Sequence, residues 1–152
     1  MNNNNRDRGF ASEAMVKRAL TILKRKKKPD IAEITEIIHA TPNSNLDRKG
    51  IDFVVKLENG YDVPLQVKSS KRAQKKFDKR CRRTGVWIPV IVVNIGVTIG
   101  NVIRQIIRSI KTVLNTARHA MDERIHREKE KASRKQKKKD WCVRHFAPSM
   151  CH

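Results

Sequence analysis

Leu46 to Ser70 reads LDRKGIDFVVKLENGYDVPLQVKSS, and the rest of the chain is arranged around it. Ile51, Phe53, Val55 and Leu57 alternate with Asp52, Val54, Lys56 and Glu58. Tyr61, Val63, Leu65 and Val67 alternate with Asp62, Pro64, Gln66 and Lys68. Successive side chains of a strand point to opposite faces, so a period of two over such runs predicts two strands. Asn59-Gly60 between them is a hairpin signal. The register follows from matching the faces. A two-residue Asn59-Gly60 loop sets Glu58 against Tyr61 and Asp52 against Val67, polar against apolar throughout. A three-residue loop, Glu58-Asn59-Gly60, with Gly60 in the left-handed region, pairs Leu57 with Tyr61, Phe53 with Leu65 and Ile51 with Val67. The second register is expected, because a one-residue slip swaps the faces of a strand. It sets Asp52 opposite Gln66, with Lys68 one step along on the same face.

One carboxylate, one amide oxygen and one ammonium on a single face suit metal-assisted phosphodiester hydrolysis. A carboxylate and a neutral oxygen ligand can hold Mg²⁺, which keeps several waters and shares itself with a substrate phosphate. An ammonium nearby can orient the attacking water and offset charge in a phosphorane-like transition state. A plain amphipathic hairpin would carry the same alternation without any chemistry.

The spacing Asp…Gln-x-Lys resembles the PD-(D/E)XK nuclease superfamily, also called restriction-endonuclease-like. Gly50-Ile51-Asp52 stands where that family has its first acidic residue, and Gln66-Val67-Lys68 stands where it has (D/E)-x-K. The resemblance runs from about Glu13 to Asn94. Gln66 departs from the family's usual Asp or Glu, although some members have Gln there. The resemblance implies an α/β fold, a mixed sheet flanked by helices with an αβββαβ core. It implies Asp52 and Gln66 as ligands of Mg²⁺ or Mn²⁺, with the Val67 carbonyl as a backbone ligand and Lys68 positioning the water. It further implies a nuclease acting on DNA. The alternative is a catalytically inactive nucleic-acid-binding protein on the same scaffold, since losing a carboxylate weakens the charge that holds the metal.

The chain has 152 residues, enough for one domain with a core. Its 35 Lys and Arg against 15 Asp and Glu give a formal charge of +20, which points to a polyanionic partner. Nucleic acid comes first, DNA ahead of RNA, with a homodimer left open. An anionic membrane is the rival, but no signal peptide or lipidation signal is visible. A transmembrane segment over Val86 to Ile107 is interrupted by Pro89, Asn94, Gly96, Gly100, Asn101 and Arg104. Three scattered Cys make no disulfide framework, which makes the cytoplasm the default location. Few aromatics argue against a single-strand stacking platform.

Residues 1–8, an Asn run with charges, are expected to be disordered, with a domain over 9–121 and a basic helical extension or tail over 122–152. A first helix is expected from Gly9–Ser12 to Lys24, with Val16, Ala19, Leu20 and Leu23 as its apolar stripe. Glu13 lies at the edge of that stripe. The resembled family often has a further acidic residue on its first helix, so Glu13 is a candidate ligand or water-holder. A Glu near a helix N-terminus is also favoured by the dipole alone. Ile31 to Ala40 fits a helix by spacing and a strand by isoleucine content; a strand near Ile34 to Ala40 is expected. Thr41 to Lys49 reads as a turn-rich loop, with Asp47 as a loop cap or an aid to metal binding.

After the hairpin, Ser69 or Ser70 can cap a helix. At about 100° per residue, Lys71, Arg72, Lys75, Lys76, Lys79, Arg80, Arg82 and Arg83 share one side, with Ala73, Phe77 and Cys81 opposite. A face of one sign directly after Lys68 is expected to contact phosphates. Gly85 should end this helix. Val86 to Asn94, VWIPVIVVN, reads as a strand buried on both faces, with Pro89 suggesting an edge or bulge. A long helix should begin near Asn101 and keep an apolar stripe past Met121, where the sequence turns to charge. Cys142, His145, Cys151 and His152, as Cys-x-x-His followed by Cys-His, could bind zinc, but their spacing matches no structural zinc motif and a short tail seldom builds a site alone.

Overall fold

The computed structural model describes residues 3–26 and 31–145. The elements run α1 (Asn3–Lys26), β1 (Ile34–His39), α2 (Asn45–Arg48), β2 (Phe53–Leu57), β3 (Asp62–Lys68), α3 (Lys71–Thr84), β4 (Val90–Val92) and α4 (Ile99–His145). The fold is mixed α/β with a four-stranded sheet in the order β1-β2-β3-β4. β1, β2 and β3 are antiparallel neighbours, and β4 joins β3 in parallel after the α3 crossover.

The hairpin has the expected register. Phe53 pairs with Leu65 and Val55 with Val63, Leu57 N–H donates to the Tyr61 carbonyl at 3.0 Å, and Gly60 has φ +81°. The alternation decides what this sheet buries. Phe53, Val55, Leu57, Val63, Leu65 and Val67 point into one core. Val16, Ala19, Leu20 and Leu23 of α1 and Val102, Ile106 and Ile110 of α4 complete it. Each fully buried aliphatic side chain contributes about 1.5–3 kcal/mol relative to exposure. The polar stations of the hairpin lie on the other face, where α3 packs through Phe77. Ser70 caps α3 by accepting from Ala73 N–H at 3.2 Å, and Gly85, at φ +67°, ends it.

Several expectations are corrected. α1 begins at Asn3, so residues 3–8 are helical rather than disordered. Residues 45–48 of the expected loop form a short helix, with Ser44 as its N-cap. The apolar run from Val86 yields only a three-residue strand, and Val86 and Trp87 are 54% and 56% exposed. β4 is also an edge strand, as Pro89 hinted, so it is not enclosed on both sides in the sheet plane. At that edge Gln105 accepts from Val92 N–H at 2.9 Å and donates to the Val92 carbonyl at 3.0 Å. That pairing satisfies the backbone groups of Val92 on the side where another strand would add. The last helix starts at Ile99, within two residues of the expected position.

The chain divides into two compact units, Met1–Leu114 and Asn115–His152. The second unit is helical through His145. Its surface carries i,i+4 pairs, Arg127 with Glu123 at 3.7 Å and His126 with Glu130 at 3.8 Å, of the kind that support a solvated helix modestly. Cys151 and His152 lie outside the described residues. No helix among the described residues is long and apolar enough to cross a membrane.

Candidate active site

The candidate site forms where β2 begins and β3 ends. Gly50 follows α2 at φ +75°, in the region that a side chain disfavours. A Cβ there would stand 2.9 Å from Phe77 Cε2 and 3.4 Å from Gln66 Oε1, so only glycine lets the chain pass this close to α3. Two residues later, Asp52 N–H donates to the Leu65 carbonyl at 2.9 Å. The Asp52 carboxylate crosses to β3, where Oδ2 accepts from Val67 N–H at 2.7 Å. The same oxygen accepts from Gln66 Nε2.

Gln66 is 4% exposed. Its Nε2 also donates to the Val67 carbonyl at 3.2 Å. The Asp52 carboxylate and the Val67 carbonyl therefore converge on one amide nitrogen. Gln66 Oε1 is buried with no hydrogen-bond partner, an arrangement that costs about 1–3 kcal/mol of lost solvation.

Lys68, the last residue of β3, is half-buried with Nζ 5.2 Å from the centre of the Phe77 ring. The ring's negative face steadies the ammonium there. Asp52, Gln66, Val67, Lys68, Glu13 and Asp47 all line one cleft of about 360 Å³. Glu13 comes to it from α1, and its carboxylate accepts from His39 Nε2 at 3.1 Å. His39 in turn stacks on Phe53 at 4.5 Å between ring centres. Asp47 Oδ2 accepts from Asn43 N–H at 2.8 Å, so the Asp caps its loop while facing the cleft.

Burial pushes the Asp52 carboxyl above the ordinary carboxylate range. The Val67 N–H and the Lys68 charge pull it down, and Glu13 and Asp47 push it further up. Three carboxylates thus share the field of one cleft with a single lysine ammonium and the exposed Arg80. A cation placed among them would relieve that repulsion.

The available donors are a carboxylate, an amide and a backbone carbonyl, all hard oxygens of the type Mg²⁺ or Mn²⁺ takes. A half-turn of the Gln66 amide would exchange Nε2 for the orphaned Oε1 and bring three oxygens to one point. That terminal torsion is soft. Asp52, Gln66 and Val67 therefore fit a hard divalent ion. Among the described residues, no three His, Cys, Asp or Glu side chains form a metal-holding group.

Of the basic residues expected to grip phosphate, Arg80 reaches the cleft, where its Nη2 donates to the Arg48 carbonyl at 3.5 Å. Lys71, Arg72, Lys75, Lys76, Lys79, Arg82 and Arg83 are exposed along α3 but do not line it. Sequence reasoning missed His39, which has no local signal, because its partner is 26 residues away on α1. It also missed the role of Gly50, although a glycine ahead of a strand is a recognisable mark of close backbone approach. No family profile, curated protein or solved structure matches this chain.

Proposed function

We propose that this chain is a metal-dependent nuclease that hydrolyses phosphodiester bonds in DNA, on a restriction-endonuclease-like core. The observation that carries the proposal is the convergence of the Asp52 carboxylate and the Val67 carbonyl on the Gln66 amide, with Lys68 at the same cleft. Those residues are spaced as Asp…Gln-x-Lys, at the end of a hairpin whose Phe53–Lys56 and Asp62–Leu65 segments pair in the register that the alternation demands.

In this reading Asp52, Gln66 Oε1 and the Val67 carbonyl hold Mg²⁺ or Mn²⁺. A bound divalent ion would offset the negative charge of the phosphate and lower the pKa of a water, so that its deprotonated form is available to attack. Lys68 orients that water and offsets charge developing on the phosphate oxygens. Phe77 keeps the ammonium over the cleft. Glu13, steadied by His39, holds a further water or a ligand position. Arg80 meets the phosphate from the α3 side, and the exposed lysines and arginines of α3 take the neighbouring phosphates.

A second reading has its own observation. The Gln66 amide donates to Asp52 and Val67 as the structure stands, which satisfies both acceptors without a metal. This favours a nucleic-acid-binding protein without catalysis. Incubation with supercoiled plasmid and Mg²⁺ or Mn²⁺, with a chelator control, separates the two. The nuclease reading expects metal-dependent nicking that Asp52→Ala and Lys68→Ala abolish while DNA binding persists. Gln66→Glu, which supplies a carboxylate, should retain or raise activity. A mobility shift with no nicking under either metal supports the binder. Nicking unchanged in Asp52→Ala removes this cleft as the site.

A further inference from the structure

Beside the cleft, across Phe77 and Arg80, lies a second pocket of about 440 Å³. Its volume falls in the range of small-molecule sites. Its walls are apolar, formed by Ile51, Phe77 and Ile88, and Trp87 stands at its mouth, 56% exposed. A large aromatic left in water beside an open apolar pocket is a place for a flat ring to stack. Lys49 and Arg80 rim it with positive charge, which suits an anionic ligand. Thr84 also lines it. The Thr84 hydroxyl donates to the Cys81 carbonyl at 3.1 Å, which leaves its lone pairs available as acceptors.

Two residues lining both cavities, Phe77 and Arg80, set the scale of what would occupy them together. A group in the apolar pocket stands next to whatever phosphate Arg80 holds at the cleft. A nucleotide has that layout, with a flat polar-edged ring joined through a sugar to a phosphate. A paired base cannot enter, because its ring is stacked within the duplex.

We propose that this pocket takes one unpaired nucleobase of the nucleic acid bound at the cleft, stacked on Trp87, so that the preferred substrates carry an unpaired nucleotide beside the contacted phosphate. The proposal rests on the nucleic-acid reading of the cleft and adds a substrate class to it. It differs from a single-strand platform, which needs a row of aromatics, in asking for one ring at one position.

The test measures binding by the full chain in the presence of a chelator, so that nothing is cleaved. Two probes are compared by anisotropy: a short DNA duplex carrying one extra adenosine, and the same duplex with that nucleotide made abasic. Both present the same backbone charge and the same bulge. Stacking of a base on an aromatic side chain predicts tighter binding of the adenosine probe by about tenfold. Trp87→Ala should remove the preference and leave the affinity for the abasic probe in place. Equal affinities for the two probes overturn the proposal, as does a preference that survives Trp87→Ala.

Trp87 emission, read in a Trp141→Phe background, provides a second measurement that does not depend on the alanine variant folding. The adenosine probe should quench it and the abasic probe should not; emission unchanged by the adenosine probe overturns the proposal. The outcome is separable from that of the nuclease reading. A preference that stands while plasmid nicking fails keeps the pocket and removes the enzyme. Nicking that stands without a preference removes the pocket alone.

Discussion

Replacing Gly50 by alanine tests how the site is held. Two terms add. The first is conformational: Gly50 has φ +75°, and an L-residue in the left-handed region costs about 1–2 kcal/mol. About 0.4–1 kcal/mol of that is offset, because alanine also loses less freedom on folding. The second term is steric. The new Cβ would stand 2.9 Å from Phe77 Cε2 and 3.4 Å from Gln66 Oε1. Phe77 is on the buried face of α3 and cannot simply swing into water. Overpacking of this kind costs about 1–3 kcal/mol. Gly50→Ala should therefore lose about 2–4 kcal/mol in total.

Gly60→Ala is the control. Gly60 has φ +81° with nothing within 4 Å of the added Cβ, so only the conformational term applies, about 1 kcal/mol. Urea denaturation followed by circular dichroism, with equal m-values for the variants, measures both. The difference between them reports the clash with Phe77 and Gln66. A Gly50→Ala variant no less stable than Gly60→Ala would refute the argument that close approach to α3 requires glycine. Because the intruding carbon also meets the Gln66 amide, Gly50→Ala should weaken metal-dependent cleavage at temperatures where the variant is folded.

Two further predictions concern charge. Replacing Lys75, Lys76, Lys79 and Arg80 with Gln should flatten the log–log salt dependence of DNA binding, by about 0.9 in slope for each phosphate that is no longer neutralised. A truncation after Met121 that removes all salt-dependent binding, while the α3 variant keeps it, would place the anchor in the second unit instead. For Asp52, the pKa is raised in the folded chain by burial, so between the unfolded and folded values the native state holds a proton the unfolded chain has released. Stability should fall as pH rises through that window. Asp52→Asn should gain on the parent over it, in denaturation series from about pH 4 upward; a stability difference independent of pH would contradict the assignment.

Local patterns carried the hairpin and its neighbours. Val63, Leu65 and Val67 alternate with Pro64, Gln66 and Lys68, and only one register sends the first set inward. The caps at Ser70 and Gly85 are likewise legible, because a side chain or a left-handed residue satisfies the backbone groups at a helix end within a few residues. The run from Val86 misled because hydropathy does not distinguish a buried strand from a loop that walls an open pocket. Val86 and Trp87 look like core residues and stand in water.

By itself, the sequence determined the two hairpin strands, their register and the placing of Asp52, Gln66 and Lys68 at one end of them. Each of these follows from short-range periodicity and from the penalty for turning an apolar face outward. Only the tertiary structure decided what meets that triad. It brings Glu13 and His39 from α1 and β1, sets Phe77 and Arg80 beneath it, makes Gly50 obligatory and leaves Gln66 Oε1 without a partner. Alternation states which face of a strand is covered. It does not state which helix covers it or which side chains that helix delivers, because those neighbours are far apart in the chain and are brought together by packing of the whole core.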